Sequence, residues 1–279
     1  MSNKQQKKVL DIITYTLLIA GAVIMITPFL WMISTSFKLP ADQYTKSLIP
    51  DPPTLNNFKE LFGTHINFPL LFSNSFLIAG LVTIGQIITC AMAAFCFAVV
   101  NFRYRNLLFT LLLITLMIPS QVTLIPNFII FKWLHLIGTK APLWVPAFLG
   151  GAFGTFLLRQ YFLTIPRDLV DAARVDGASL LRIFWNIYMP LSKPALAALA
   201  IFSFQGAWND LLHPLIYLPA VPNTTLTVGL AFFQQQITQG GKFTVLMAGG
   251  LVSVLPLILV FFVAQKQFIE GISLSGMKR

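Results

Sequence analysis

The sequence predicts an all-α protein embedded in a membrane, with six transmembrane helices and both termini in the cytoplasm. Three observations predict this fold: the composition, the length of the apolar segments and the distribution of Lys and Arg. Of the 279 residues, 56% are hydrophobic and 10% are charged, whereas a soluble domain usually carries about 25% charged residues. A chain with so few charges is poorly suited to cover a water-exposed globule, so lipid is its expected environment.

Six apolar segments are long enough to cross a bilayer. About 20 helical residues span a hydrocarbon core of ~30 Å, and these segments are continuously apolar, unlike the alternating strands of a membrane barrel. The predicted spans are, in chain order, Ile12 to Ile33, Leu70 to Val100, Leu107 to Phe131, Ala141 to Phe162, Ala195 to Leu218 and Phe243 to Ala264. The chain then divides into an N-terminal segment with the first span and an external loop (1–69), a transmembrane core (70–267) and a cytoplasmic tail (268–279).

The positions of Lys and Arg orient these spans, because cytoplasmic loops carry the positive excess. With the N-terminus inside, six of the 19 basic residues are external and the other 13 are cytoplasmic. The external residues are Lys38, Lys46, Lys59, Lys132, Lys140 and Lys242. An even number of spans with both ends inside fits this distribution.

Several functional classes are disfavoured by the same sequence. The net charge of +10 comes from loops beside apolar spans, and these loops do not form a basic domain with interleaved aromatic residues, so nucleic acid is not an expected partner. Neither a zinc-hydrolase motif nor a nucleophile elbow occurs, so we expect no catalytic or metal site. No Walker A pattern occurs, and ATP hydrolysis would therefore need another chain.

The predicted cytoplasmic loop from Thr164 to Pro194 has a distinct pattern of short helices. Proline near its start and Gly177 further on predict a helix of about three turns between them, with glycine as the C-terminal cap. Helical spacing places Leu169, Val170 and Ala173 on one side of this helix. The charged residues on the other side are Arg167, Asp168, Asp171 and Arg174.

A second short helix follows Gly177. Ser179 can cap its N-terminus, and the segment continues through an apolar and aromatic run to Pro190. The two helices predict an amphipathic hairpin on the inner surface of the membrane. One interpretation is that this hairpin only anchors the protein to lipid headgroups.

The loop contains a spaced motif that indicates a second interpretation. Asp171-Ala172-Ala173 is followed after three residues by Gly177, and after nine more by Ile187-Tyr188-Met189-Pro190. This pattern resembles the E-A-A, three residues, G, nine residues, I-x-L-P loop of the membrane subunits of binding-protein-dependent ABC importers. Asp171 replaces the family glutamate and Met189 replaces its leucine.

The resemblance implies that the segment from Asp171 to Gly177 is a coupling helix that docks on a separate ATPase subunit. The residues implied in ATPase coupling are Asp171, Ala172, Ala173, Asp176, Gly177, Ile187 and Pro190. The implied partners are an ABC ATPase dimer, a second related permease subunit, an extracytoplasmic solute-binding protein and the lipid bilayer of a bacterial inner membrane. ATP and Mg would be bound by the ATPase subunits, and no cofactor by this chain.

Other segments resemble the carbohydrate-importing branch of this family, specifically its smaller maltose-type subunit. They are the run from Pro28 to Lys38, Asn74-Ser75, Trp208-Asn209-Asp210 and the tail from Gly271 to Lys278. The resemblance implies alternating-access import of a sugar, oligosaccharide, polyol or glycerol phosphate. It also implies an ATPase contact by Gly276, Met277 and Lys278.

The fifth predicted span contains a group of polar residues. Gln205, Asn209 and His213 follow helical spacing, and Asp210 is the acidic residue expected at depth. Polar residues inside a membrane usually face a cavity or another helix. Gln205, Asn209 and Asp210 therefore either line a translocation path or join helices by hydrogen bonds. An ion-coupled secondary transporter, which usually uses buried carboxylates, is the alternative class.

Overall fold

The computed structural model describes residues 3–63, 67–218, 223–237 and 241–276, and all regular elements in these ranges are helical. The α-helices are α1 Asn3–Ser36, α2 Asn56–Gly63, α3 Phe68–Val99, α4 Arg105–Ile114, α5 Ser120–Trp133, α6 Ala141–Trp144, α7 Ala152–Phe162, α8 Asp168–Val175, α9 Leu180–Ile183, α10 Met189–Leu191, α11 Lys193–Trp208, α12 Leu212–Tyr217, α13 Leu226–Ile237 and α14 Phe243–Gly276. Short 3₁₀ segments cover Pro40–Asp42, Thr115–Met117 and Val145–Leu149, and Phe184–Tyr188 is a π-helix. The predicted all-α class is confirmed for the described residues.

Four helical segments in the described part of the chain are long and apolar enough to cross a membrane. They are Leu10–Ser36, Phe68–Val99, Ala141–Phe162 and Phe243–Val263. Two further pairs of helices meet this criterion only as bent pairs, and counting each pair as one span gives up to six. The chain therefore has the composition and helix lengths of a multi-pass membrane protein.

The third predicted span is not one straight helix. α4 and the following 3₁₀ turn end at Met117, α5 begins at Ser120, and the two segments meet at 99°. Proline disfavours a helical conformation of the residue before it, and Ile118 before Pro119 is extended, with φ −82° and ψ 115°. The expectation of a continuous helix from Leu107 to Phe131 is therefore wrong.

The fifth predicted span also differs from its expected form. α11 ends at Trp208, and the separate helix α12 begins at Leu212. A proline ring clashes with the carbonyl four residues earlier in a helix, so Pro214 opposes helical continuation past Asp210. The expectation of one helix from Ala195 to Leu218 is wrong, and the bent pair here instead joins Leu180–Leu191 to Lys193–Trp208 at 79°.

The chain forms two compact units. The first comprises residues up to Phe68 together with Leu230–Leu255, and the second comprises Pro69–Gly229 with the chain from Pro256 onward. Asn57 lies at the centre of the polar contacts of the first unit. Its amide nitrogen donates to the carbonyls of Ser36 and Lys38 at 2.8 and 2.7 Å, and its amide oxygen accepts from the Thr244 hydroxyl at 2.9 Å.

The second unit has an apolar core where α3, α7 and α11 meet. Cys90, Leu158 and Leu199 are fully or almost fully buried there. Gly154 permits the close approach of these helices, because a Cβ at this position would lie 2.7 Å from the Cys90 sulfur and 3.0 Å from a Leu199 methyl. The hairpin that begins with α8 and α9 packs on the same core through Val170, Ile183 and the residues that follow.

Candidate functional site

The motif loop begins with α8, which ends in a fully hydrogen-bonded cap. Gly177 has φ +77°, a conformation that glycine adopts without the steric penalty of a side chain. Its amide donates to the Arg174 carbonyl at 3.0 Å, and the Ala178 amide donates to the Ala173 carbonyl at 2.9 Å. These two bonds define a Schellman motif. The predicted glycine cap is confirmed, while the helix itself has eight residues, just over two turns, and is shorter than the three turns expected.

α8 is held by one face and exposes the other. Val170 is 4% exposed and belongs to the core of the second unit. Ala173 is partly buried against that core. Leu169 was expected on the same side but is 43% exposed, because it lies about 100° around the helix from Val170. Its placement on the buried face is therefore wrong.

Most of the motif residues on α8 and its cap are accessible. The exposed residues are Asp171, Ala172, Asp176 and Gly177. An ideal Cβ placed on Gly177 meets no atom within 4 Å. Within this chain, the requirement for glycine at this position therefore comes from the positive φ and not from a close neighbour.

The second half of the hairpin is anchored by aromatic packing. The Ser179 hydroxyl accepts from the Arg182 amide at 3.3 Å, which confirms the predicted N-cap of α9. Tyr188 packs edge-on against Phe95 of α3 and Phe162 of α7, with ring centroids 5.0 and 5.2 Å apart. Ile187 is partly buried beside this cluster, and Pro190 is exposed.

The polar residues of the fifth predicted span are arranged differently from the expected stripe. Gln205 lies on α11, whereas Asn209 caps its C-terminus with φ −90° and ψ 0°. Both side chains are exposed. His213 lies on α12 beyond the break, so it does not continue a helical stripe with Gln205 and Asn209.

Asp210 and His213 instead form a local pair. The His213 ring nitrogen Nδ1 lies 2.9 Å from Oδ2 of Asp210, and the His213 amide donates to Oδ1 at 3.2 Å. Both side chains are partly exposed. Their separation by three residues is a sequence signal for this pairing. The same residues also fit a polar stripe on one continuous helix, and the sequence alone does not distinguish the two arrangements.

A second polar cluster joins the start of α3 to the segment before α13. The Asn74 amide donates to the Thr224 carbonyl at 2.8 Å, and the Ser75 hydroxyl accepts from the Leu226 amide at 2.8 Å. Lys140 donates to the Asn74 side-chain oxygen. The sequence pattern of Asn74-Ser75 gives no signal for these partners, which lie 66 to 151 residues away.

Of the three tail residues expected to contact the ATPase, the structure describes only Gly276. α14 ends at Gly276, while Met277 and Lys278 lie outside the described residues. The ATPase contact expected of Gly276, Met277 and Lys278 stays a prediction.

The capped loop and the apolar helices can be compared with known families. Residues 85–273 match the family described as binding-protein-dependent transport system inner membrane component, which is more than half of the chain. This chain belongs to that family. The family assignment predicted from the spacing between Asp171 and Pro190 is confirmed, and the chain is a permease component of a transport system. The ion-coupled secondary transporter is thereby excluded as its class.

Similar proteins cover almost the whole chain. The arabinooligosaccharides transport system permease protein AraQ of Halalkalibacterium halodurans is 34% identical over 262 residues, which are 92% of each chain. The sn-glycerol-3-phosphate transport system permease protein UgpE of Salmonella typhi is 32% identical over 275 residues, covering 96% of this permease and 98% of that protein.

Solved structures share the fold of this permease. One is a bacterial ABC transporter involved in the import of the acidic polysaccharide alginate; its matching chain has a TM-score of 0.81 at 24% identity, covering 94% of this permease and 98% of that chain. The second is a bacterial alginate ABC transporter in complex with an alginate pentasaccharide-bound periplasmic protein. Its chain has a TM-score of 0.66 at 15% identity, with 93% and 94% coverage.

Proposed function

We propose that this permease imports a carbohydrate or a similar hydroxyl-rich solute, driven by separate ATPase subunits that dock on α8. The observation that carries this proposal is the capped helix itself. Val170 fixes one face of α8 to the core, while Asp171, Ala172 and Asp176 remain exposed on a rigid support. A helix held in this way can transmit a rigid-body displacement to the segments it packs on.

The packing of the hairpin supports a route for that displacement. Tyr188 contacts both Phe95 on α3 and Phe162 on α7. Closure of the ATPase subunits would move α8, and the buried aromatic contacts would pass the movement to two membrane-spanning helices. The permease would then alternate between inward-open and outward-open states, with the solute biasing the equilibrium only through its differential affinity for the two states.

The solutes for which the relatives are named support the solute class. AraQ is named for arabinooligosaccharides and UgpE for sn-glycerol 3-phosphate, and both solutes are rich in hydroxyl groups. Gln205, Asn209 and Asp210 are candidate residues of the translocation path. The exposed amides of Gln205 and Asn209 can both donate to and accept from hydroxyl groups, and Asp210 keeps acceptor capacity beside His213.

The proposed assembly contains the partners that the coupling role requires. They are two ATPase subunits, a second related permease and an external solute-binding protein. We place the permease in the bacterial inner membrane with six spans and both termini in the cytoplasm, as the distribution of Lys and Arg indicates. ATP and Mg would be bound by the ATPase subunits, and the tail from Gly276 to Lys278 would reach their interface.

Affinity purification from the native membrane tests this proposal. The tagged permease is isolated in mild detergent, and every co-purifying protein is identified by mass spectrometry. We expect an ATPase, a second permease and a solute-binding protein, and ligand retained by the binding protein would name the solute. Recovery of the permease alone after chemical cross-linking would contradict the proposal.

A further inference from the structure

A small cavity lies beside α8, in the second unit and close to the exposed motif residues. It has a volume of about 180 Å³. Its wall is apolar where Phe162, Ile165 and Val170 contribute. Its polar lining consists of Asn101, Arg167, Asp171, Arg174 and Tyr188. The cavity therefore combines two cations, one carboxylate, one amide and one phenol around an apolar floor.

Tyr188 is the most informative of these residues. It is 2% exposed, and its ring is fixed by Phe95 and Phe162. Its hydroxyl has no hydrogen-bond partner among the described residues, although the residue lines the cavity. The hydroxyl is not one of the fully buried oxygen atoms that lack a partner, so it is reached from the cavity and can donate a hydrogen bond to a ligand there.

The charged groups around the cavity are also unpaired. Among the described residues, Arg167 and Arg174 make no side-chain hydrogen bond or ion pair, although Asp171 lies between them in sequence and lines the same cavity. Both arginines lie within electrostatic range of the Tyr188 hydroxyl. Guanidinium groups match the geometry of phosphate oxygens, whereas the Asp171 carboxylate can only accept hydrogen bonds.

We propose that this cavity binds a phosphate ester that carries hydroxyl groups. The phosphate contacts Arg167 and Arg174 and accepts a hydrogen bond from Tyr188, while a ligand hydroxyl donates to Asp171. An inorganic anion alone would leave the carboxylate facing negative charge, so the carboxylate selects for a ligand with donors of its own. The apolar side chains of Phe162, Ile165 and Val170 contact the carbon skeleton of the ligand.

The volume limits the size of the occupant. Pockets for drug-sized ligands measure roughly 300–1,000 Å³, so this cavity suits a sugar phosphate or polyol phosphate rather than a nucleotide. The glycerol phosphate headgroup of phosphatidylglycerol has the same chemistry. Binding of either ligand would hold α8 more firmly against the core of the second unit. An effect on transport would rest on the proposed coupling role, whereas the binding itself does not.

Binding to the full-length permease in nanodiscs tests the proposal without any ATPase subunit. The soluble probe is radiolabelled glucose 6-phosphate in phosphatidylcholine nanodiscs, compared with glucose and inorganic phosphate. The lipid arm uses native mass spectrometry of the permease released from nanodiscs that contain phosphatidylglycerol. Variants are Arg167→Gln, Arg174→Gln and Tyr188→Phe, and Arg103→Gln is the control because it removes a nearby positive charge outside the cavity lining.

We expect saturable binding of one of the two ligands. Each arginine variant should weaken it about tenfold because a charged donor is lost, and Tyr188→Phe about threefold because a neutral donor is lost; Arg103→Gln should leave it unchanged. Glucose 6-phosphate binding identifies a soluble ligand, and retention of phosphatidylglycerol alone identifies the headgroup. Absence of both would overturn the proposal, as would equal binding by the cavity variants or inorganic phosphate binding as tightly as the ester.

Discussion

The Gly177 amide donates a hydrogen bond to the Arg174 carbonyl over 3.0 Å, and this bond closes the exposed end of α8. The positive φ of Gly177, +77°, then turns the chain so that the Ala178 amide donates to the Ala173 carbonyl over 2.9 Å. The same turn directs the chain back toward the core, where Tyr188 packs against Phe95 at 5.0 Å. The exposed end of the helix is therefore set by local geometry, whereas the packing of Tyr188 depends on contacts with α3 and α7.

Replacements of Gly177 should show whether glycine is needed there for its positive φ or for contact with the ATPase subunit. Gly177→Asn should keep the cap because Asn tolerates positive φ, whereas Gly177→Ala should cost about 1 kcal/mol of local stability. Gly177→Arg should add a bulky charge at the proposed ATPase contact, so that the protein still inserts but ATP hydrolysis is uncoupled from uptake. Both rates are measured in proteoliposomes. Normal uptake by Gly177→Arg would argue strongly against docking at this turn.

Two valines on α8 differ in burial and can test whether Val170 anchors the helix. Val170 is 4% exposed and Val175 is 88% exposed. Val170→Ala should lower stability by about 2 kcal/mol, because two buried carbon groups are lost, while Val175→Ala should change it little. Thermal unfolding in nanodiscs measures both. Equal effects of the two substitutions would show that Val170 does not anchor α8.

The hairpin was largely predictable from sequence because its signals are local. Gly177 and Ser179 each determine backbone geometry within one helical turn, and the observed caps follow from them. Pro166 lies before α8, whose N-cap Arg167 makes no side-chain hydrogen bond. Leu169 was misplaced because it lies about 100° around the helix from Val170, and apolar spacing alone does not show which of the two residues faces the core. The aromatic anchor of Tyr188 depends on Phe95 and Phe162, which are distant in sequence, and no local pattern indicates that contact.

Neighbouring asparagines on α2 should differ sharply in their contribution to stability. Asn57 is 1% exposed and makes three side-chain hydrogen bonds, whereas Asn56 is exposed. Asn57→Ala should destabilise the first unit by about 2–4 kcal/mol, since buried partners lose their hydrogen bonds. Asn56→Ala is the control and should have a small effect. Thermal melting of both variants would test this, and similar midpoints would refute the central role of Asn57.

Asn209 tests the proposed translocation path. Its side chain is exposed at the end of α11, so Asn209→Leu should leave thermal stability unchanged while slowing solute-dependent turnover about three- to tenfold through loss of a hydrogen bond to the solute. Asn106→Leu, an equally exposed change elsewhere in the second unit, serves as the control. Unchanged turnover with a lowered melting temperature would favour a structural role for Asn209.

The sequence predicted the presence of the membrane spans better than their shape. Apolar length predicted the four spans that meet the length criterion without a bent pair, because hydropathy adds over many residues. It could not show the bends, which depend on single residues: Ile118 is extended before Pro119, and the chain breaks between α11 and α12 ahead of Pro214. The Asp210–His213 pair lies across that second break, at a separation of three residues that a continuous helix would also have brought together.

The measurement that tests the central claim most directly is photo-cross-linking from α8 in native membranes. A photoreactive benzoyl-phenylalanine replaces the exposed Ala172, and the exposed Val122 on α5 carries the same group as the control. We predict that position 172 yields an adduct with an ATP-hydrolysing subunit and that position 122 does not. Adducts of position 172 with lipid alone would contradict the account and show that the hairpin is a membrane-surface anchor.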